Sequence, residues 1–261
     1  MDHPLITVLP DPEQLAGAAA RHIAAQLQLA IARRGIAHCV LAGGRTPLPT
    51  YRFLAQSTLA VTVDWGRVHF WWSDERWLPA DDAASNQRAA RAELLEPLAI
   101  AHPWVHTVDV SAPTAAAAAA DYESCLSRWL GDRGLFDVVV LGVGEDGHIA
   151  SLFPGSSTLM PPEGRRVVVE HLAPKLPSVR VSLTLMALAA ARSHVLLIEG
   201  KTKAGVVRQL CEPSHSDLPI QRLLALARNV RIYVDEAAFS HRCVSRPGWT
   251  QETWTQRPPT S

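Results

Sequence analysis

The run from Asp137 to His148, DVVVLGVGEDGH in one-letter code, limits most what this chain can become. Val138 to Leu141 is short, apolar and without alternation, the pattern of a strand covered on both faces in a parallel sheet. Gly142, Gly144 and Gly147 follow at once and free the backbone for positive φ and for close approach to a ligand. Glu145, Asp146 and His148 then put two carboxylates and an imidazole at the strand's C-terminal end, where open α/β sheets bind ligands. The expectation is an α/β fold, a mostly parallel Rossmann-like sheet flanked by helices on both faces.

The rest of the chain alternates in the same way. Leu15, Ala19, Ile23, Leu27 and Ile31 recur every fourth residue, drawing one apolar stripe on a helix that Gly35 ends. His38 to Ala42 reads as a strand that breaks into Gly43, Gly44, Arg45, Thr46 and Pro47, with Thr46 placed to cap a helix beginning at Pro47. Exposed N–H groups at such a helix start can hold a phosphate; an ordinary capped turn gives the same pattern, so this segment alone leaves both readings open. Val68 to Trp72 is a second strand, ending in Ser73, Asp74, Glu75 and Arg76, either a site or a solvated loop with a local ion pair. Ser85 and Asn86 suit a helix cap, and the alanine run 115 to 120 predicts a helix continuing through Leu126 and Trp129. Further strands are expected at Val167 to Val169, Val179 to Leu183, His194 to Ile198 and Val230 to Val234, with helices after Gly200 and around Leu223 to Leu226. Beyond Ser240 periodicity fades, so residues 1–240 read as one domain and 241–261 as a loosely held tail onto which Trp249 and Trp254 can dock.

Charge and cysteine usage narrow the partners. A formal net charge of zero removes any overall electrostatic case for nucleic acid or an anionic membrane, so an anion site must be local. Four cysteines without a Cys-x-x-Cys pair argue against a zinc ribbon, and reduced thiols in a cytoplasm are expected. There is no apolar run of the roughly 18 residues that a membrane helix requires. The segment GVGEDG also satisfies the dinucleotide fingerprint, with Glu170 at the end of a later strand. Two carboxylates in the loop meant for a pyrophosphate, and Pro154 with Gly155 closing off the next helix, count against it.

Five blocks in order carry a family resemblance: Gly43 to Pro47; Asp74, Glu75 and Arg76 with Ser85 and Asn86 downstream; Asp146 to Gly155; Arg180 to Thr184; and Gly200 to Ala204. Over most of residues 5 to 240 the chain is similar to the 6-phosphogluconolactonases, within the superfamily of the glucosamine-6-phosphate deaminases and ribose-5-phosphate isomerase-like folds. The resemblance implies a metal-independent cytoplasmic hydrolase that takes a phosphorylated sugar lactone as its small-molecule partner. It implies no cofactor, no metal, and a monomer or small homo-oligomer. A δ-lactone is an activated ester, so a base that activates water and a donor for the oxyanion suffice.

His148 is the expected base, Asp146 its orienting carboxylate or a contact to sugar hydroxyls, and Arg76 the oxyanion donor. Asp74, Glu75 and Asn86 would bind hydroxyls or hold Arg76. Arg180 and Lys203 would meet the phosphate arriving at Gly43, Gly44, Arg45 and Thr46. The glycine loop departs from the family's usual Ser-Gly-Gly-Ser-Thr-Pro, with Ala42 and Arg45 at the two serine positions. Two alternatives remain: a deaminase/isomerase, whose assisting glutamate aligns with Phe153, and a non-catalytic sugar-phosphate sensor.

Overall fold

The computed structural model describes residues 4–56, 58–131, 134–211, 217–239 and 250–253. Seven strands form one wholly parallel sheet: β1 (Leu5–Leu9), β2 (Ala37–Leu41), β3 (Val68–Trp72), β5 (Val138–Gly142), β8 (His194–Ile198), β9 (Val230–Asp235) and β10 (Thr250–Thr253). Their order is β10-β1-β9-β8-β5-β2-β3. After β2 the chain adds β3 on one side, and after β5 it adds β8 and β9 on the other. The order therefore reverses between β2 and β5, and a crevice opens there at the strands' carboxyl ends.

The alternating side chains of β5 explain its unbroken apolar run. Val138 and Val140 pack into one core with α1 (Pro12–Arg34) and α2 (Pro47–Gln56). Val139 and Leu141 pack into the other, with α4 (Ala115–Leu130), α5 (Leu185–Ala189), α6 (Ala204–Cys211) and α7 (Pro219–Leu226). Every one of these valines is fully buried, a contribution of about 1.5–3 kcal/mol each. Helix α1 starts where Asp11 accepts from the Gln14 N–H at 2.8 Å and ends at Gly35 in the left-handed region, as its stripe predicts.

Three features depart from the sequence reading. Asp74–Arg76 is not a loop but a short strand, β4, in a separate antiparallel sheet ordered β4-β7-β6 with β7 (Arg180–Leu183) and β6 (Val167–Glu170). Three polar residues carry no apolar period, so only the partner strand reveals them. Thr250–Thr253 joins β1 in parallel at the sheet edge, while Trp249 and Trp254 lie outside the described residues. Cys39 and Cys125 are free, but Cys211 is disulfide-bonded, against the expectation of reduced thiols; sequence spacing does not report which cysteines approach in space.

An aromatic cluster also escaped the sequence reading. His69 Nδ1 lies 2.9 Å from His106 Nε2, and the Trp71 indole donates to His38 Nδ1 at 3.1 Å. Burial lowers His38 to about 3, with the charges of His69, His106 and Arg34 adding to this, and lowers His106 to about 4, with that of His69 adding, so these rings are neutral in the fold.

Candidate active site

Each loop at the crevice is pinned by its neighbours. On α2 the Tyr51 hydroxyl accepts from the Ala42 N–H at 2.8 Å and donates to the Ala42 carbonyl at 2.9 Å, fixing the residue that leads into Gly43. The Tyr122 hydroxyl on α4 does the same for Trp72, at 2.9 and 3.0 Å, one strand over. Past Ala42, Gly43 lies so close to the Asn86 amide that a Cβ there would sit 1.9 Å from Oδ1; only glycine lets the loop and the start of α3 (Asn86–Ala90) touch. Thr46 and Glu199 line the same cleft.

After Trp72, the alternation of β4 divides its side chains. Asp74 and Arg76 face the cleft, with Asp74 accepting from the Ser151 hydroxyl at 2.6 Å and from Ser73 at 3.2 Å. Glu75 points away. It accepts from the N–H groups of Arg76, Asn86 and Gln87 at 2.7, 2.9 and 2.7 Å and from the Ser85 hydroxyl at 3.1 Å, so it ties β4 to the start of α3. Although burial pushes its carboxyl up, those donors oppose the shift. Arg76 donates through Nη1 to the Ala84 carbonyl at 2.6 Å, and Asn86 through Nδ2 to the Asp74 carbonyl at 2.9 Å. Arg76 Nε and Asn86 Oδ1 are buried with no hydrogen-bond partner, one donor and one acceptor in the residues of a single wall.

No helix follows β5 directly; the chain turns tightly, with Gly144 N–H bonded to the His148 carbonyl at 2.8 Å and Gly147 at φ +80°. This is the geometry that the dinucleotide fingerprint lacks. The turn brings His148 Nδ1 to 2.5 Å from Asp146 Oδ1. Burial would raise the Asp146 carboxyl, but the hydrogen bond and charge of His148 outweigh it and bring it to about 2. An ionised carboxylate on Nδ1 selects the tautomer with its proton there and leaves Nε2 as the basic nitrogen. The centroid of the ring lies 4.7 Å from that of Phe153, itself buried, with the two rings tilted.

These loops enclose a cleft of about 740 Å³. Of the residues singled out from the sequence, Gly43, Gly44, Arg45, Thr46, Asp74, Arg76, Asn86, Asp146, His148, Arg180 and Lys203 all line it, and Glu75 does not. Glu75 is 1% exposed and its oxygens are committed to backbone donors, so it positions Arg76 and Asn86 instead of meeting a ligand. Arg180 is held through Nε to the Pro177 carbonyl (3.2 Å) and Nη2 to the Lys175 carbonyl (2.9 Å), opposite Arg76 in the β4–β7 ladder. Lys203 lies beyond β8, close enough to feel Glu145, Asp146, Lys175 and Glu199. The sequence reading missed Lys175 and Glu199, both in the cleft lining. Glu199 had a usable signal, a charge between the last residue of a strand and a glycine; Lys175 sits in an aperiodic proline-rich loop that offers none. Among the described residues no three His, Cys, Asp or Glu side chains converge as a metal-ligand set.

Fold and cleft define a class: a doubly wound α/β protein whose switch-point crevice carries a carboxylate–imidazole pair and a cation-rich wall. The chain matches the family described as glucosamine-6-phosphate isomerases/6-phosphogluconolactonase over residues 10–232, and it belongs to that family. It is 38% identical over 215 residues to a 6-phosphogluconolactonase of Streptomyces coelicolor, covering 79% of this chain and 82% of that one. With a 6-phosphogluconolactonase of Mycobacterium leprae it shares 34% over 242 residues, covering 89% and 96%. Among solved structures, 6-phosphogluconolactonase from Trypanosoma cruzi superposes with a TM-score of 0.81 at 30% identity, covering 91% of this chain and 96% of that one. A monomeric glucosamine-6-phosphate deaminase, at TM-score 0.75 and 24% identity, shares the fold.

Proposed function

We propose that this protein hydrolyses 6-phospho-D-glucono-1,5-lactone to 6-phospho-D-gluconate, the second step of the oxidative pentose phosphate pathway, with water as the only co-substrate. The observation that carries this reading is the Asp146–His148 pair at 2.5 Å in the same cleft as Arg45, Lys203 and Arg180. One end is built to move a proton and the other to hold an anion.

In this reading the phosphate lies against the Gly43 to Thr46 loop with Lys203 and Arg180, which places the lactone carbonyl toward His148. Nε2 takes a proton from water as its oxygen bonds to the carbonyl carbon, and the imidazolium is stabilised by the Asp146 carboxylate. The negative charge that develops on the carbonyl oxygen meets the Arg76 guanidinium, which lines the cleft. Collapse of the tetrahedral species breaks the bond to the ring oxygen, which takes the proton back from His148 and leaves as a hydroxyl. Asp74 and Asn86 supply acceptors for the sugar hydroxyls.

Phe153 weighs against the deaminase alternative: a buried phenyl ring packed beside His148 cannot carry a proton. The test is direct. Freshly generated 6-phosphoglucono-δ-lactone should disappear faster with the protein than spontaneously, in chelator as in its absence, and glucosamine 6-phosphate should release no ammonia. Loss of the lactone at the spontaneous rate would refute the assignment.

A further inference from the structure

One phenyl ring meets both ends of the cleft. The Phe153 centroid lies 4.7 Å from that of His148, with the two planes at 42°, and Arg180 Cζ lies 5.8 Å from the same centroid. The second distance is that of a cation–π contact. Phe153 lines the cleft at 6% exposure. Its backbone is fixed on both sides, the Leu152 N–H donating to the Ile149 carbonyl at 3.0 Å and the Ser156 N–H to the Phe153 carbonyl at 3.1 Å. Its two neighbours need that support. The His148 ring is tied through Nδ1 to Asp146, and a single bond at one ring nitrogen leaves the ring free to pivot about it. Arg180 donates to the Lys175 and Pro177 carbonyls, which belong to a loop whose Leu176 is 90% exposed. A buried aromatic ring on a fixed backbone supplies the constraint that these bonds lack.

We propose that Phe153 is a positioning residue that sets the spacing between His148 and Arg180, and so fits the cleft to the length of a phosphorylated lactone. This deepens the reading above and rests on His148 acting as the base and Arg180 meeting the phosphate. Such a substrate has a limited reach from phosphorus to carbonyl carbon. Binding energy at the phosphate helps the chemistry only when it delivers that carbon to the base. Because the same ring packs on both groups, a shift of either end is resisted by the other. A neutral lactone engages the His148 end alone and draws on half of this arrangement.

Phe153→Leu keeps a buried apolar side chain and removes the flat ring. On the phosphorylated lactone KM should rise about two- to thirtyfold, the worth of a cation–π contact, and kcat should fall about tenfold or more as His148 loses its support. On neutral glucono-lactone kcat should fall likewise, with KM within about twofold of the unmutated protein's. KM does not depend on the fraction of protein that is folded, so a general loss of structure does not imitate this split. Adding Arg180→Ala to Phe153→Leu should raise KM for the phosphorylated lactone less than Arg180→Ala does alone, because the two residues act through one contact. Phe153→Met, unbranched and apolar, carries the same comparisons if the leucine variant does not fold. An unmoved kcat, a KM that is unmoved or moves equally on both lactones, or additive effects of Phe153 and Arg180 would overturn the proposal; provided Arg180→Ala alone still raises KM, the phosphate end stands. If Arg180→Ala alone leaves KM for the phosphorylated lactone unchanged, the phosphate end is misplaced and the proposal falls with it.

Discussion

Replacing Gly144 with alanine should disable the chemistry while sparing the fold. Gly144 has no positive φ, so alanine meets no backbone penalty there. Its Cβ, however, would lie 2.0 Å from His148 Nδ1, 2.3 Å from Cε1 and 2.5 Å from Asp146 Oδ1. Ordinary contact begins at 3.4 Å, so the ring must retreat by more than an ångström, and the 2.5 Å bond to Asp146 cannot follow it intact. A misplacement of about 1 Å at a catalytic group costs on the order of 10²-fold, or roughly 2.7 kcal/mol of transition-state stabilisation. The expectation is therefore a kcat on 6-phosphogluconolactone reduced by about two orders of magnitude with KM within about threefold, since the phosphate contacts are untouched. Gly205→Ala, where an added Cβ meets nothing within 4 Å, is the control for handling and folding. A Gly144→Ala protein with full kcat and an unchanged melting curve would show that close approach of the loop to His148 is irrelevant to turnover.

Asp146→Asn should lower kcat by about 10² to 10⁴, because the carboxylate that is ionised down to about pH 2 no longer holds the ring through Nδ1. The neutral glucono-lactone should show the same loss, and an unchanged kcat on both lactones would contradict the pairing. Tyr51→Phe should raise KM for the phosphorylated lactone and destabilise the fold by about 1–3 kcal/mol, since the Ala42 N–H and carbonyl lose their shared partner; urea titration and kinetics read both, and no change in either would refute the role of that hydroxyl. Burial, with lesser help from neighbouring charges, lowers His22 and His106 to about 4 and His38 to about 3. The unfolded chain then binds more protons as pH falls, so stability is fully present above about 6.5 and is lost from there down to about 4 for His22 and His106 and about 3 for His38. Melting temperatures at constant ionic strength should drop across that window, and a flat profile would mean that the rings take up protons in the fold.

Much of the fold is readable because burial on both faces leaves an apolar signature. β3 and β8 fall where the runs at Val68 and His194 place them, and β5 gains only Gly142. What escaped was decided by contacts remote in sequence. β4 is three polar residues that become a strand only against β7, and with that pairing came the alternation that sends Asp74 and Arg76 inward and Glu75 outward. In the site, the residues beside glycines at strand ends were legible, since that position exposes polar groups at the crevice. Tyr51 and Tyr122 were not, because a buried tyrosine reads as core until its hydroxyl is seen bridging one residue's N–H and carbonyl.

The division of the cleft into a phosphate end and a chemical end is most directly tested by comparing His148→Ala with the double change Arg180→Ala and Lys203→Ala, each assayed on the phosphorylated and the neutral lactone. His148→Ala should lose about 10² to 10⁴ in kcat on both substrates with little change in KM, the range for a positioned general base. The double variant should show a strongly raised KM for the phosphorylated lactone and kinetics close to the unmutated protein's on the neutral one. Near-full kcat in His148→Ala on both lactones, together with an unchanged KM in the double variant, would contradict it.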